Sequence, residues 1–182
     1  YYSWYSIRYY LKVKDAEALK TLQQMAANSE DHKTKIGNTA EWDDQSTGEI
    51  TVDYTVNPIT KTETLPPSKD NNYKATFKIV VNPEKLKLNG GKELTVRDKL
   101  TGNMELITDS VNIALDPDGA SSWDFDADKK GLTVTIPDEC TATITYQAQI
   151  VGKGTVSYQN TATVIGGYSA STQEQTFEIK TD

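Results

Sequence analysis

Most of the chain alternates apolar and polar residues over short runs broken by Asn, Asp, Gly and Pro. A period of two places every second side chain on one face, the signature of strands with a single buried side. The runs predict strands at 5–13, 35–42, 49–56, 58–64, 73–81, 92–98, 104–107, 111–115, 132–136, 142–150, 155–164 and 174–180. Turn chemistry falls between them at Asn89-Gly90-Gly91, Asp118-Gly119, Lys130-Gly131 and Gly166-Gly167. Strands this short and this closely spaced predict an all-β, immunoglobulin-like sandwich. One segment departs from the pattern. In DAEALKTLQQMAANSEDH, Ala18, Leu19, Leu22, Met25 and Ala26 recur near helical spacing behind Asp15, a good N-cap, so a single short helix is expected over 15–28.

The alternation repeats itself. Ile7, Tyr9, Leu11 and Val13 match Ile144, Tyr146, Ala148 and Ile150, and Gly37-Asn38-Thr39-Ala40-Glu41-Trp42 matches Gln159-Asn160-Thr161-Ala162-Thr163-Val164. The helix is inserted in the first copy where the second has only Gly152-Lys153-Gly154. Each copy then runs on into another alternating segment, EITVDYTV or EQTFEIK. Residues 1–56 therefore read as the last strands of a preceding domain, and 57–182 as a complete following one. Because the alternation is under way in the first residues, the chain reads as an excerpt from a longer protein.

Three strands carry a polar residue in their apolar phase. Asn160 shares a face with Val156, Tyr158, Ala162 and Val164; Asp98 follows Leu94 and Val96; Lys61 follows Ile59. Burying such groups unpaired costs about 1–3 kcal/mol for an amide and more for a charge. Singly, each has an ordinary explanation: a lysine reaching out from a strand end, an aspartate capping a turn, an asparagine bonded to backbone. Together they specify a reaction. Burial lowers a lysine's pKa toward the nucleophilic amine and raises a carboxyl group's pKa toward the neutral acid. The Lys61 amine can then attack Asn160 Cγ while protonated Asp98 polarises the amide and shuttles protons, releasing ammonia and leaving an isopeptide bond. Asn38 falls in phase with Ile36, Ala40 and Trp42, so the misplaced amide occurs in both copies.

Composition narrows the alternatives. The 36% apolar content of the 182 residues is enough for small β-sheet cores. With 26 acidic against 19 basic residues and a net charge of -7, neither a nucleic-acid groove nor an anionic membrane surface is expected as partner. One cysteine, Cys140, and one histidine, His32, leave no disulfide framework, no Cys or His metal cluster and little nucleophilic enzymology, so no cofactor, metal or substrate turnover is expected. No apolar stretch approaches the ~20 residues of a membrane span. Asp124, Asp126 and Asp128 have the opening spacing of an EF-hand, but Lys129 stands where its glycine belongs and Thr135 where its glutamate belongs, which favours a solvated hairpin. TLPPSK at 64–69 reads as a Pro-Pro loop and Cys140 as a structural thiol, while YYSWYSIRYY offers aromatics for sheet packing or for a sugar or protein partner.

Six runs in order carry a family resemblance: ITKT at 59–62, YKATFKIVVNP at 73–83, VRDKL at 96–100, LTVTIP at 132–137, ITYQAQI at 144–150 and YQNTATV at 158–164. Over nearly all of 57–182 the chain resembles the collagen-adhesin-like immunoglobulin-fold domains of Gram-positive surface adhesins and pilins. The resemblance implies an intramolecular Lys–Asn isopeptide bond between Lys61 and Asn160 with Asp98 as its catalytic acid. Lys74 and Lys78 are rivals for the lysine, but they alternate out of phase with Tyr73, Phe77 and Ile79. It also implies an extracellular stalk or adhesive module, cell-wall anchored through regions outside this chain, with neighbouring domains of the same surface protein as partners. The alternative is a ligand-binding domain for collagen, another host matrix protein or a glycan.

Overall fold

The computed structural model describes residues 8–165 and 167–179. A helix, α1 (Ala16–Asn28), precedes β1 (Lys33–Asn38), the two-residue strands β2 (Glu41–Trp42) and β3 (Gln45–Ser46), and β4 (Ile50–Thr55). There follow β5 (Ile59–Leu65), β6 (Lys74–Val81), β7 (Leu94–Gly102), β8 (Met104–Asp116), β9 (Ser122–Phe125), β10 (Gly131–Ile136), β11 (Thr141–Ile150), β12 (Gly154–Val164), β13 (Tyr168–Ser171) and β14 (Gln175–Ile179). Two antiparallel sheets make the sandwich. One runs β5-β6-β11-β8 and the other β13-β12-β7-β10-β9, with β14 pairing along the remaining length of β12. The inner faces meet over Ile59, Phe77, Ile79, Ile144 and Leu106 from the first sheet and Leu94, Val96, Val134, Val156 and Ala162 from the second, all buried. The immunoglobulin-like sandwich expected from the alternation is the observed architecture.

The predicted helix begins where its cap demands. The Asp15 carboxylate accepts a hydrogen bond from the Ala18 N–H at 2.9 Å, satisfying one of the free donors of the first turn. Its inner face is largely the expected one, with Ala26 buried and Ala18, Leu19 and Leu22 half-buried, but Met25 is exposed and Gln23 is buried instead. The cause is docking. The Gln24 side chain pairs with the backbone of Lys87 as a strand would, accepting from its N–H at 2.8 Å and donating to its carbonyl at 2.9 Å.

Several expected strands are corrected. Residues 8–13 of the predicted strand 5–13 form no strand, because nothing described pairs with them and an extended segment gains ladder hydrogen bonds only from a neighbour; residues 5–7 lie outside the described part. The expected strand 35–42 breaks after Asn38 and continues as the β2-β3 hairpin. The strands expected at 104–107 and 111–115 are one, β8, with an irregularity opposite Thr145–Gln147, where the Ser110 hydroxyl accepts from the Gln147 N–H at 2.8 Å. Alternation did not mark β9 or β13, each four residues long. The acidic segment is a hairpin, as expected: β9 pairs with β10, and Gly131 opens β10, so the turn lies just before it. Gly102 ends β7 at a positive φ of 82° against β12, where a side chain would collide with the Ser157 carbonyl. The Pro66-Pro67 segment is a loop and Cys140 is buried.

In the long connection from β6 to β7, one carboxylate gathers residues 88–91. Asp138 accepts from the backbone N–H groups of Leu88 (2.9 Å), Asn89 (2.8 Å), Gly91 (2.9 Å) and Glu139 (2.9 Å). Partial burial pushes its pKa up, but the four donors together outweigh that and hold it below the ordinary value. A depressed folded pKa means stability that is fully present above the unfolded value of 3.8 and lost as pH falls through the lower folded one. Asp138→Ala should cost about 1–2 kcal/mol at neutral pH. In thermal melts the gap between wild type and variant should narrow on acidification through that range, and a gap independent of pH would show that the ionised carboxylate does not hold the loop.

Candidate functional site

The three polar residues in apolar phase converge between the sheets. Lys61 points inward from β5, Asp98 from β7 and Asn160 from β12, and all three are buried. Alternation places them there: Ile59 precedes Lys61 on the inner face of β5, Val96 and Leu100 flank Asp98, and Tyr158 and Ala162 flank Asn160. Lys74 and Lys78, on β6, point away from the core formed by Ala75, Phe77 and Ile79, as their phase requires.

A fourth residue joins them. The Lys61 Nζ donates to Asp98 Oδ1 at 2.6 Å and to the Tyr146 hydroxyl at 3.1 Å. Tyr146 donates to Asp98 Oδ2, and Asn160 Nδ2 donates to Tyr146. Amine and carboxamide thus meet at one hydroxyl. The Tyr146 and Phe77 rings wall the amine at 5.3 and 5.5 Å from Nζ, and the Lys61 and Asp98 side chains are 0% and 1% exposed. Sequence reasoning did not assign Tyr146 to the site. Its signal was present, since Tyr146 is the only hydrogen-bonding side chain in the inward phase of Ile144, Ala148 and Ile150. A second cross-sheet contact, Tyr158 to Glu63 Oε1 at 2.7 Å, also went unforeseen.

Burial governs the protonation of the cluster. Loss of water lowers the Lys61 pKa from 10.5 to about 8 against the opposing pull of the Asp98 charge and hydrogen bond. Burial likewise raises the Asp98 carboxyl, although the Lys61 charge and hydrogen bonds from Lys61, Tyr146 and the Lys99 N–H oppose it. The two shifts point the same way. The pair holds one proton whether written as ammonium–carboxylate or as amine–acid, and burial favours the neutral form of each member. Tyr146 is pushed well above its usual range by burial and by the adjacent Asp98, so it stays a phenol. Asn160 Oδ1 is buried with no partner, an arrangement that costs about 1–3 kcal/mol in a finished core.

No protein-family model matches the sequence, and no curated protein matches it. Among solved structures the chain is similar to the collagen-binding domain of a Staphylococcus aureus adhesin, with 18% identity, 68% of this chain and 98% of that one covered, and a TM-score of 0.45. It is similar to the collagen-binding domain of an Erysipelothrix rhusiopathiae surface protein, with 15% identity over 79% of this chain and 55% of that one and a TM-score of 0.49. It is similar also to the pilus backbone protein of Streptococcus pneumoniae, with 15% identity over 62% and 32% and a TM-score of 0.42. The chain thus spans nearly all of the first and about half of the second.

Tyr146→Phe keeps the ring that packs on Phe77 and removes only the oxygen that Lys61, Asp98 and Asn160 share. It should lower stability by about 1–3 kcal/mol, read from denaturant midpoints. An unchanged midpoint would show that the hydroxyl holds nothing together.

Proposed function

We propose that this chain is a structural and adhesive module of a Gram-positive cell-surface protein, adhesin or pilus subunit, crosslinked within itself by an isopeptide bond between Lys61 and Asn160. The observation that carries the proposal is the sealed cluster of Lys61, Asp98, Tyr146 and Asn160. The sequence runs that resemble adhesin and pilin domains support the extracellular setting.

The reaction balances within the cluster. Neutral Nζ attacks Asn160 Cγ, Nζ gives up one proton, Nδ2 takes up one and leaves as ammonia, and the Nζ–Cγ amide remains. Asp98, hydrogen-bonded to Nζ, takes up the first proton once its own has passed toward the carbonyl oxygen, and returns one to the leaving nitrogen. A half-turn of the Asn160 carboxamide about Cβ–Cγ brings the unpartnered Oδ1 to the Tyr146 hydroxyl. Protonated Asp98 donates to Tyr146 and Tyr146 to Oδ1, a relay that passes the carboxyl proton to the carbonyl oxygen during attack and takes it back as ammonia leaves. Asp98 is the catalyst, Tyr146 the relay, and the event occurs once per molecule.

The bond ties β5 to β12 across the sandwich. Closing a loop of about 100 residues is worth about 4–5 kcal/mol if the disulfide relation transfers, and a pulled or protease-exposed domain gains more in unfolding rate than in equilibrium stability. A second reading, a ligand-binding domain for collagen, another matrix protein or a glycan, has its own observation. A groove on the outer face of β7, β10 and β12 presents Arg97, Lys99 and Lys130 beside Asp126 and Asp128 over a floor of threonines, a surface for an extended polar partner. The readings are compatible, because crosslink and groove lie on opposite faces of one sheet.

Intact mass decides the first reading. Wild type should weigh one ammonia less than its sequence. Lys61→Ala and Asn160→Ala should restore the full mass calculated for each variant and lower the melting temperature, and Asp98→Ala should leave the chain uncrosslinked with both bonding partners present. An unmodified wild-type mass would overturn the proposal. On refolding, bond formation should slow as pH is raised past about 8, where the pair gives up the one proton that Asp98 must carry, and a rate that keeps climbing through that value would remove the acid from the rate-limiting step.

A further inference from the structure

Two side-chain connections run from the inner face of β5 to the inner face of β12, and they are neighbours. Lys61 and Glu63 occupy successive inward positions of β5, and Asn160 and Tyr158 occupy successive inward positions of β12. Lys61 is joined to Asn160 through the Tyr146 hydroxyl, whereas the Tyr158 hydroxyl donates directly to Glu63 Oε1 at 2.7 Å. Residue numbers rise along one strand as they fall along the other. The second connection therefore lies one inward step, about 7 Å, beyond the first on the same pair of strands.

Lys61 alone does not fix where β5 stands along β12. The strand has one partner in its sheet, and its ladder with β6 keeps regular register only from Ile59 to Glu63, because Thr64 is an extra residue before Leu65 meets Thr76. Ahead of the strand, the Asn57 side chain donates to the Ser169 carbonyl on β13 at 3.0 Å. Between these points stands Lys61, whose flexible four-carbon stem lets Nζ keep its 2.6 Å contact with Asp98 while the backbone beneath it shifts. The Glu63–Tyr158 bond has no such slack along the strand, and it acts where β6 ceases to guide β5. It is also shielded from water. Burial raises the Glu63 pKa while the Tyr158 hydrogen bond pulls it back, and burial, with the hydrogen bond and charge of Glu63, raises that of Tyr158. A phenol donating to a carboxylate in such surroundings is one of the stronger hydrogen bonds a fold can make.

We propose that Glu63 and Tyr158 are positioning residues for bond formation between Lys61 and Asn160, their hydrogen bond clasping β5 to β12 in the register that brings Nζ to Cγ. The proposal rests on the reading of Lys61 and Asn160 given above. Neither residue carries a proton of the reaction, because Asp98 holds the amine and Tyr146 holds the carboxamide. The covalent step is unchanged: the Nζ–Cγ amide forms and the Asn160 nitrogen leaves as ammonia with the proton released by the amine. What the clasp governs is how often amine and Cγ meet at attacking distance, and a misplacement of about 1 Å can cost about a hundredfold in rate.

The test follows the intact mass of the full chain over time as uncrosslinked protein, recovered from a denatured precipitate, folds on dilution from denaturant, with circular dichroism recording the folded fraction in parallel. Tyr158→Phe keeps the ring and loses only the hydroxyl, Glu63→Ala loses the acceptor, and Glu63→Gln keeps an acceptor oxygen without the charge. All three should end one ammonia lighter than calculated, as wild type does. Per folded molecule, Tyr158→Phe and Glu63→Ala should lose that ammonia about two- to tenfold more slowly than wild type, the range that one net hydrogen bond supplies. Glu63→Gln should fall between wild type and Glu63→Ala, and the double variant Tyr158→Phe/Glu63→Ala should be no slower than the slower single one, since both remove the same bond. Wild-type rates per folded molecule in Tyr158→Phe and Glu63→Ala would reduce the contact to an ordinary support of the fold and overturn this inference alone, leaving the crosslink standing. Glu63→Gln as slow as Glu63→Ala, or a double variant that multiplies the two single effects, would likewise overturn the hydrogen bond as the cause. A wild type that never loses ammonia would overturn the inference together with the reading beneath it.

Discussion

Four polar side chains sealed between two apolar sheets set the terms on which this sandwich exists. An unpaired lysine or aspartate in that position would cost several kcal/mol, and removing one member of a buried pair typically costs about 3–5. The cluster meets this cost by mutual hydrogen bonding of all but Asn160 Oδ1, with Tyr146 at its centre contacting the other three. It fixes the register of β5 against β7 and β12, because a one-residue slip of any of these strands would turn its polar group to solvent and an exposed residue to the core. The same enclosure drives both ionisable groups toward neutrality, which is the protonation that amide formation needs. On the proposed reading, folding and chemistry have one cause: closure of the sheets is what would make the site reactive.

The remaining architecture keeps that enclosure tight. Lys61 sits on β5, an edge strand that pairs within its sheet only with β6 and is open to peeling on its free side. Two side-chain contacts hold it to the facing sheet, Lys61 to Asp98 and Glu63 to Tyr158. An amide between Lys61 and Asn160 would tie this edge covalently to β12, the strand that gathers three neighbours, β7, β13 and β14. The N-terminal part is docked onto this body through the Gln24–Lys87 pairing and through His32, whose ring stacks on that of Tyr168 with centroids 3.9 Å apart.

Phase made the site legible before any coordinates. Lys61, Asp98 and Asn160 were visible because each occupies a position where alternation demands an apolar residue, and pleating then fixes the face regardless of strand ends. Tyr146 escaped notice because tyrosine is at home in sheet cores and its hydroxyl breaks no pattern until its neighbours are known. Element boundaries were less legible for the same physical reason. A strand is a property of two segments, so the alternating residues 8–13 form none without a partner, and β13, only four residues long, forms because β12 offers an edge. The helix and most of its inner face were legible through Asp15 and its spacing, whereas the exposure of Met25 and the burial of Gln23 come from tertiary packing that no local pattern encodes.

The central claim is that amine and carboxamide are joined, and the most direct measurement is the electron density of the wild-type protein at near-atomic resolution around residues 61 and 160. The account predicts unbroken density from Lys61 Nζ to Asn160 Cγ with the planar geometry of a secondary amide, no density for Nδ2, and the Asp98 carboxyl and Tyr146 hydroxyl beside the new bond. Two separate side chains at van der Waals distance, with the Asn160 amide complete, would contradict it.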